Sequence, residues 1–418
     1  MTVVEENSME ERLIFHVDVN SAFLSWEAAR RVKEGLPDLR EIPSCIGGDP
    51  KSRRGIVVAK SIPAKKYGVT TGEPVALALR KCPDLVCVPG DFALFDRCSR
   101  AFKKICASYA PVMESFSIDE VFLDMSGTHL IYPDPVAVAH EIKDKIRDEL
   151  GFTVNVGIGT NKLLAKMASD FEKPDKVHTL YKEEIQEKMW KLPVEDLFMA
   201  GKSSVNVLHK LGIFTIGQLA KSPVTILDAH LKSHGRVLWE YANGIDESVV
   251  NTKREDLKGV GNSTTLPKDL DNIVEINRIL LRLSEKVSGR LREGKQKAKT
   301  VAVEIKYNDF TKCSKQITVD IATDSGTEIY NISKNLFKGL WSGRPVRLLG
   351  VRTANLIEED EPEQLTFMDI DSWNKEENNI SREKMKKLDK ALDLINAKYG
   401  SGAVKRASLL NENRTKNK

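Results

Sequence analysis

The chain has 418 residues, more than one hydrophobic core serves and enough for about two to four domains. Hydrophobic residues make up 41% and charged residues 30%, and no apolar run approaches the roughly 20 residues that cross a bilayer, which excludes a bundle of membrane spans. The formal net charge is only +4, so any strongly basic surface has to be local.

The N-terminus, with Glu5, Glu6, Glu10 and Glu11, lacks the basic and apolar pattern of a secretion signal, and the expectation is a cytoplasmic protein. Six cysteines (Cys45, Cys82, Cys87, Cys98, Cys106, Cys313) form no C-x-x-C, which favours reduced thiols over a zinc site or disulfides. Seven histidines form no H-E-x-x-H, which removes the commonest zinc-hydrolase pattern.

In chain order, "RLIFHVDVNSAFLSWEAARR" opens with a strand over 13–19 and changes to helical spacing from about Ser21, whose hydroxyl is a candidate N-cap. Asp18 therefore falls at a strand's end, where a helix begins. "GIVVAKSIPAKKYGV" is a short strand followed by a Lys-rich turn or helix start, and 91–110 is helical. "FSIDEVFLDM" (116–125) reads as a buried strand with two adjacent acids, Asp119 and Glu120. Consecutive strand side chains point to opposite faces, so one carboxylate would meet an apolar layer. A salt partner, a strand-end position open to water, or a divalent cation would each offset that cost.

"PVAVAHEIKDKIRDEL" is an amphipathic helix and "FTVNVGIG" a strand. "TNKLLAKMASDFEKP" is a helix that Pro174 terminates, with Lys162, Lys166 and Lys173 on one face and Leu163, Leu164, Met167 and Phe171 on the other. The pattern fits an α+β layer of ferredoxin-like type, an antiparallel or mixed sheet with helices on one face.

Strand signals disappear over 182–247. "AGKSS" suggests a P-loop, but the first glycine of that motif would fall on Asp196 and no strand precedes it. A helix-hairpin-helix fits better, with backbone N–H groups around Gly201, Lys202 and Ser203 available to a phosphate. After a polar linker over 248–257, the stretch 258–358 carries 18 Lys+Arg against 11 Asp+Glu, a surplus larger than the chain's net +4, so the excess of positive charge lies in a second small α+β domain. That suits contact with a nucleic-acid backbone, and equally a solvated basic surface. The tail, 359–418, begins with the acidic "EEDEPEQLTFMDI", whose Leu365, Phe367 and Met368 form a short apolar cluster of the kind that docks as a peptide, or that caps a core; a helix follows near 381–399.

Carboxylates from two segments, Asp18 and the pair Asp119 and Glu120, are what a two-metal site requires, because Mg²⁺ takes octahedral oxygen ligands and two ions share bridging groups. The stretches "VDVNSAF", "VVAKSIPAKKYGV", "SFSIDEVFLDMS", "VGIGTNKLLAKMASDFEKPD" and "GNSTTLPKD" occur in the order found in Y-family translesion DNA polymerases of the DinB/UmuC type, and the chain resembles that family across roughly residues 12 to 358.

The resemblance implies a right-hand polymerase of bacterial origin. Its palm would comprise 1–30 and 85–181, its small fingers 31–84, its helical thumb 182–247 and its little finger 258–358. It implies that Asp18, Asp119 and Glu120, with the carbonyl of Val19, hold two Mg²⁺ ions, for which Mn²⁺ can substitute. Phe23 falls on the steric gate under the sugar, with Ala22 beside it, and Lys173 on the triphosphate lysine. Asn262, Ser263, Thr264 and Thr265 fall on the little-finger strand that lies along DNA. "EQLTFMD" resembles a sliding-clamp-binding peptide, with Gln364, Leu365 and Phe367 as anchors. Primer-template DNA, dNTP and the clamp are the implied partners of a monomer.

The chain also departs from the family. Ser21 and Ala22 stand where an aromatic pair usually precedes the gate, leaving more room under the nucleotide. Ile62 and Lys65 stand where a Tyr and an Arg usually hold the β- and γ-phosphates; Ile62 donates no hydrogen bond and Lys65 lacks the bidentate fork, with Lys60, Arg53 or Arg54 as replacements. The leading expectation is a low-fidelity, template-directed DNA polymerase. Its alternatives are a catalytically weakened, clamp-bound accessory protein and, more remotely, a nucleotide cyclase or nuclease, which the basic second domain and the ordered motifs disfavour.

Overall fold

All six residues of Ile14–Val19 (β1) are buried, because this strand has a neighbour on each side and helices over both faces. The computed structural model describes residues 12–49, 55–252, 256–359, 376–400 and 403–404, in two units, Met1–Arg254 and Glu255–Lys418. After β1 the first unit runs through α1 (Ala22–Lys33), β2 (Ser44–Gly47), β3 (Val57–Lys60), α2 (Ile62–Lys66), α3 (Val75–Lys81), β4 (Val86–Val88) and α4 (Phe92–Ala107). It continues with β5 (Val112–Ser115), β6 (Glu120–Asp124), α5 (Pro135–Leu150), β7 (Val154–Gly159), α6 (Lys162–Ser169) and β8 (Val177–Leu180). Four further helices follow: α7 (Lys202–Lys210), α8 (Ile216–Ala220), α9 (Val224–Leu231) and α10 (Ser233–Ala242).

The main sheet has the order β5-β6-β1-β7-β8, and a three-stranded sheet, β3-β2-β4, forms a separate small core around Cys45, Val57, Ala64 and Val75. Side-chain alternation along β1 explains where the site lies. Phe15, Val17 and Val19 join Phe95, Phe102, Ile142 and Ile146 of α4 and α5 in the large core. Ile14 faces the other way, packed with Phe122 and Ala165 of α6. The even-numbered positions, Asp18 included, thus belong to the α6 face. Expectation put the helices on one face; α6 takes the second because "VGIG" offers two glycines there. A Cβ on Gly157 would stand 2.0 Å from the Ala165 carbonyl oxygen, so only hydrogen lets the helix backbone come that close.

Three local expectations are corrected. "FSIDEVFLDM" is not one strand: β5 and β6 flank a tight turn over 116–119, closed by Phe116 N–H and Ser117 N–H donating to the Glu120 carbonyl. Phe116 and Ile118, which made the run look buried, are 43% and 37% exposed, and Asp119 lies in the turn rather than against an apolar layer. The helix before Pro174 ends at Ser169, so Lys173 is not on it. Ser21 occupies the N-cap position of α1 in the left-handed region (φ 48°), and its hydroxyl makes no cap bond.

The second unit is β9 (Gly259–Leu270), α11 (Ile273–Glu293), β10 (Gln296–Tyr307), β11 (Lys312–Thr323), α12 (Gly326–Leu340), β12 (Val346–Glu358) and α13 (Glu376–Tyr399). Its sheet, ordered β11-β10-β12-β9, is antiparallel throughout, and α11 and α12 cover one face. Pro267 is tolerated because β9 is an edge strand. Helix α13 docks by charge: Arg292 of α11, 13% exposed, meets Asp393 at 2.5 Å and Asp389 at 3.7 Å.

The contact at Gly157 predicts that Gly157→Ala lowers stability by about 1–3 kcal/mol or more, as overpacking does. A denaturant midpoint unchanged from the wild type would show that α6 has room to move away.

Candidate active site

Two strand ends bring two acids together. Asp18 pairs in register with Glu120 across β1 and β6, on the α6 face. Val19 N–H donates to the Asp119 carbonyl at 3.0 Å, which ties the turn to the same strand end. Asp119 is held inside its turn, accepting from the Ser117 hydroxyl at 2.6 Å.

Ammonium groups neutralise the acids. Lys173 pairs with Asp18 and, at 2.8 Å, with Asp170. Lys166 meets Glu120 at 2.5 Å, and its ammonium lies 5.6 Å from the Phe116 ring centre and 5.5 Å from that of Phe198. Lys162 contacts both oxygens of Glu114, at 2.7 and 2.8 Å. Burial pushes the Asp18 carboxyl up to about 6, against the pull of Lys173, and Glu120 and Asp170 add to the rise. Burial opposes charge on Lys173 as well, but Asp18 and Asp170 outweigh it and hold the ammonium above its ordinary value. The burial cost, which expectation assigned to one of Asp119 and Glu120, falls instead on Asp18.

His16, fully buried two residues before Asp18, was not foreseen. Its Nδ1 lies 2.8 Å from the Ser169 hydroxyl and its Nε2 approaches Glu120 at 3.8 Å without a hydrogen bond. Burial, with Lys166 and Lys173 nearby, keeps this imidazole neutral, so the approach is not an ion pair.

The segment that carries Lys173 is held by two asparagines, which sequence reasoning also missed. Asn155 of β7 donates to the carbonyls of Ser169 (3.0 Å) and Glu172 (2.6 Å). Asn20 donates to Asn155 and accepts from Asp175 N–H and the Thr153 hydroxyl. An asparagine in the middle of an otherwise apolar strand was the available signal, since a buried amide needs partners.

The donor set fits hard divalent cations. Asp18 and Glu120 are opposed at neighbouring strand ends and already bind cationic groups, the ammoniums of Lys173 and Lys166, in a partly buried setting, and Asp119 lies in the adjoining turn. Turned to those lysines, no three acidic or imidazole side chains among the described residues stand close enough together to hold an ion as they are.

Residues 17–170 match the impB/mucB/samB family and residues 257–367 its C-terminal domain. A DNA polymerase IV of Clostridium acetobutylicum is 45% identical over 96% of this chain and 98% of its own length. A DNA polymerase IV of Acetivibrio thermocellus is 37% identical, with the same shares covered, and a DNA polymerase IV 2 of Bacillus subtilis is 35% identical over 96% of this chain and 95% of its own. The chain belongs to the Y-family DNA polymerases, in the bacterial DinB-type branch. The solved structure of a Y-family DNA polymerase chimera shares the fold, with a TM-score of 0.73 at 22% identity, over 83% of this chain and 99% of that one.

In this polymerase Phe23 is the half-buried tip of an aromatic cluster. Its ring centre is 4.8 Å from that of the fully buried Phe95 and 5.7 Å from that of Trp26. Ala22 is buried, while Ser21 is exposed. Ile62 (56% exposed) and Lys65 lie on the outer side of α2, anchored through Ser61, which caps the Ala64 N–H. Lys60 donates to the Thr71 hydroxyl at 3.3 Å. Arg53 and Arg54 lie outside the described residues, as do Gln364, Leu365 and Phe367 of the expected clamp peptide.

Gly201 is the N-cap of α7 without a side-chain cap, and Lys202 and Ser203 are exposed in the first turn. Asn262, Ser263, Thr264 and Thr265 run along β9, paired with Val351, Gly350, Leu349 and Leu348. Ser263, Gly350, Glu304 and Ser314 thus share one row across the sheet, and Gly261, Arg352, Ala302 and Gln316 the next. This face of small and polar side chains lies opposite the helices.

Without divalent cation, Asp18→Asn is expected to stabilise the protein at pH 8 by up to about 3 kcal/mol, the cost implied by the raised carboxyl. The sign follows from the shift: ionising a carboxyl whose folded pKa is raised costs stability above about pH 6, and the cost fades as pH falls toward 4. Equal melting temperatures for both proteins at pH 8 and pH 4 would contradict the burial cost.

Proposed function

We propose that this polymerase extends a primer by template-directed transfer from dNTP, with Asp18, Asp119, Glu120 and the Val19 carbonyl holding two Mg²⁺ ions and Lys173 on the triphosphate. The observation that carries the reading is the pairing of Asp18 with Glu120 at adjacent strand ends, each countered by a lysine. When bound, the ions supply acidification of the primer 3′-hydroxyl and charge neutralisation at the α-phosphate. The chain's own residues do the rest. Lys173, displaced from Asp18, becomes available to phosphate oxygens, and the Asn20–Asn155 network keeps its segment in place. Phe23, backed by Phe95, closes the space under the sugar and excludes a 2′-hydroxyl. The reaction supports low-fidelity synthesis past damaged template, in a cytoplasmic monomer; among the described residues no helix is long and apolar enough to cross a membrane.

Under this reading residues 1–30 and 85–181 are palm, 31–84 fingers, 182–247 thumb and 258–358 little finger. The uncapped start of α7 at Gly201, Lys202 and Ser203 offers N–H groups to a DNA phosphate. The open face of the second sheet, with Ser263 and Thr265 of β9 and the side chain of Arg352, lies along the duplex, while Asn262 and Thr264, which alternate to the helix-covered face, offer the backbone of this edge strand. Gln364, Leu365 and Phe367 dock on the sliding clamp. Mn²⁺ serves in place of Mg²⁺. Ile62 and Lys65 hold the β- and γ-phosphates less firmly than a Tyr and Arg pair.

Primer extension with Mg²⁺ tests the chemistry. Wild-type protein extends with dNTP, Asp119→Ala loses on the order of 10³-fold in rate, as removal of several kcal/mol of transition-state stabilisation implies, and Phe23→Ala gains incorporation of ribonucleotides. A folded, DNA-binding wild type that extends no primer would sink the catalytic reading.

Binding assays test the surfaces. Arg352→Ala weakens primer-template binding and lowers its salt slope by about one, and Leu365→Ala abolishes co-elution with the clamp. Unchanged binding in either variant removes that surface from the proposal.

A further inference from the structure

The described cysteines are all unbridged, and the polymerase chemistry uses none of them. Two of them are paired by the fold. Cys45 of β2 and Cys87 of β4 are register partners on neighbouring parallel strands, and their sulfurs are 3.4 Å apart, with the Cys45 S–H directed at Cys87. Adjacent strands run about 4.8 Å apart, inside the usual Cα separation of disulfides of roughly 4.4–6.8 Å, so a bond of about 2.0 Å requires the sulfurs to approach without reordering the strands. The two thiols differ in access: Cys45 is fully buried in the small core with Val57, Ala64 and Val75, while Cys87 is partly open to solvent.

We propose that Cys45 and Cys87 are an oxidation-sensitive dithiol that reacts with peroxides at Cys87 and closes reversibly to a disulfide. The Cys87 sulfur attacks one peroxide oxygen; an S–O bond forms, the O–O bond breaks, and the leaving oxygen departs as water with the thiol proton. The Cys45 sulfur then attacks the Cys87 sulfenic sulfur; the S–S bond forms, the S–O bond breaks, and a second water carries off the Cys45 proton. Two thiols lose two electrons in all, and one peroxide is reduced to two waters. Burial, with Cys87 alongside, pushes the Cys45 thiol above its ordinary value, which with its lack of access disfavours Cys45 as the first attacker.

The pair sits where a new bond is felt. Ser44, next to Cys45 on β2, donates its N–H to the Ser61 hydroxyl at 3.0 Å, and Ser61 caps α2. Tension at Cys45 therefore reaches the helix of Ile62 and Lys65. This last link rests on the proposed nucleotide role of α2; the dithiol itself does not.

The test exposes the native full-length protein to hydrogen peroxide, blocks remaining thiols and maps peptides by mass. The expected result is one cross-linked pair joining Cys45 to Cys87, lighter by two hydrogens and restored by dithiothreitol. Cys45→Ala, checked for folding by circular dichroism and replaced by Cys45→Ser if unfolded, should instead accumulate sulfinic acid at Cys87. Cross-linking of Cys87 to Cys82, or oxidation of Cys87 that is identical with and without Cys45, overturns the proposal. Oxidised wild type should show a several-fold higher KM for dNTP with little change in kcat. Absence of extension by the reduced protein would count against the polymerase reading and leave the dithiol result standing.

Discussion

Everything at the head of the main sheet depends on placing carboxylates where water is scarce. Asp18 is at the end of a strand otherwise buried along its whole length, and its opposite number in register is another acid. Burial and the neighbouring Glu120 both oppose ionisation of Asp18, so the surrounding structure has to bring positive charge to it. Lys166 arrives on α6, Lys173 just past its end, and both are kept there by features that look purely structural: two glycines in β7 that let the helix approach, and two asparagines that tie down the following segment. The site is thus a self-compensated arrangement, and in the proposed two-metal reading cations and phosphates would replace lysine contacts rather than fill open space.

The proposed gate, Phe23, follows the same logic with apolar groups. Phe23 owes its position to Phe95 and Trp26, which belong to the large core. Its rigidity is therefore inherited from the best-packed part of the first unit, whereas α2, with Ile62 and Lys65, rests on a much smaller core. The proposed sugar discrimination and phosphate contact thus rest on cores of unequal size, a physical reason to expect the first to be the less easily perturbed.

Much of this was legible in the residues alone. The acids stand out in the sequence as carboxylates at strand ends, whereas Phe23 and the triphosphate role of Lys173 enter only through the family resemblance of their motifs. What was not legible involved partners distant in sequence or patterns that imitate burial. Phe116 and Ile118 extended an apolar run that the chain breaks with a turn, because their side chains remain at the surface. The pairing of Asn155 with Asn20 joins positions 135 apart, and no local pattern reveals it. Strand β9, "GNSTTLPKDL", lacks an alternating apolar pattern since one face is uncovered and the strand is at an edge. The docking of α13 involves Arg292, one arginine among several on α11, and nothing in the local sequence marks it out from the others.

The uncovered face of the second sheet mixes a low floor with long polar tips. Gly259, Gly261, Gly350, Ala302 and Ala354 share it with Ser263, Thr265 and Ser314, while Arg352, Glu304, Lys306, Lys312 and Gln316 rise from the same rows. Each of these longer side chains is a flexible stem with a polar end, so a duplex laid on the proposed DNA face would meet groups that swing aside rather than wedge between base pairs. A surface of that kind would hold DNA by its phosphates while the helix advances, with a grip indifferent to the sequence being copied and to small distortions in it.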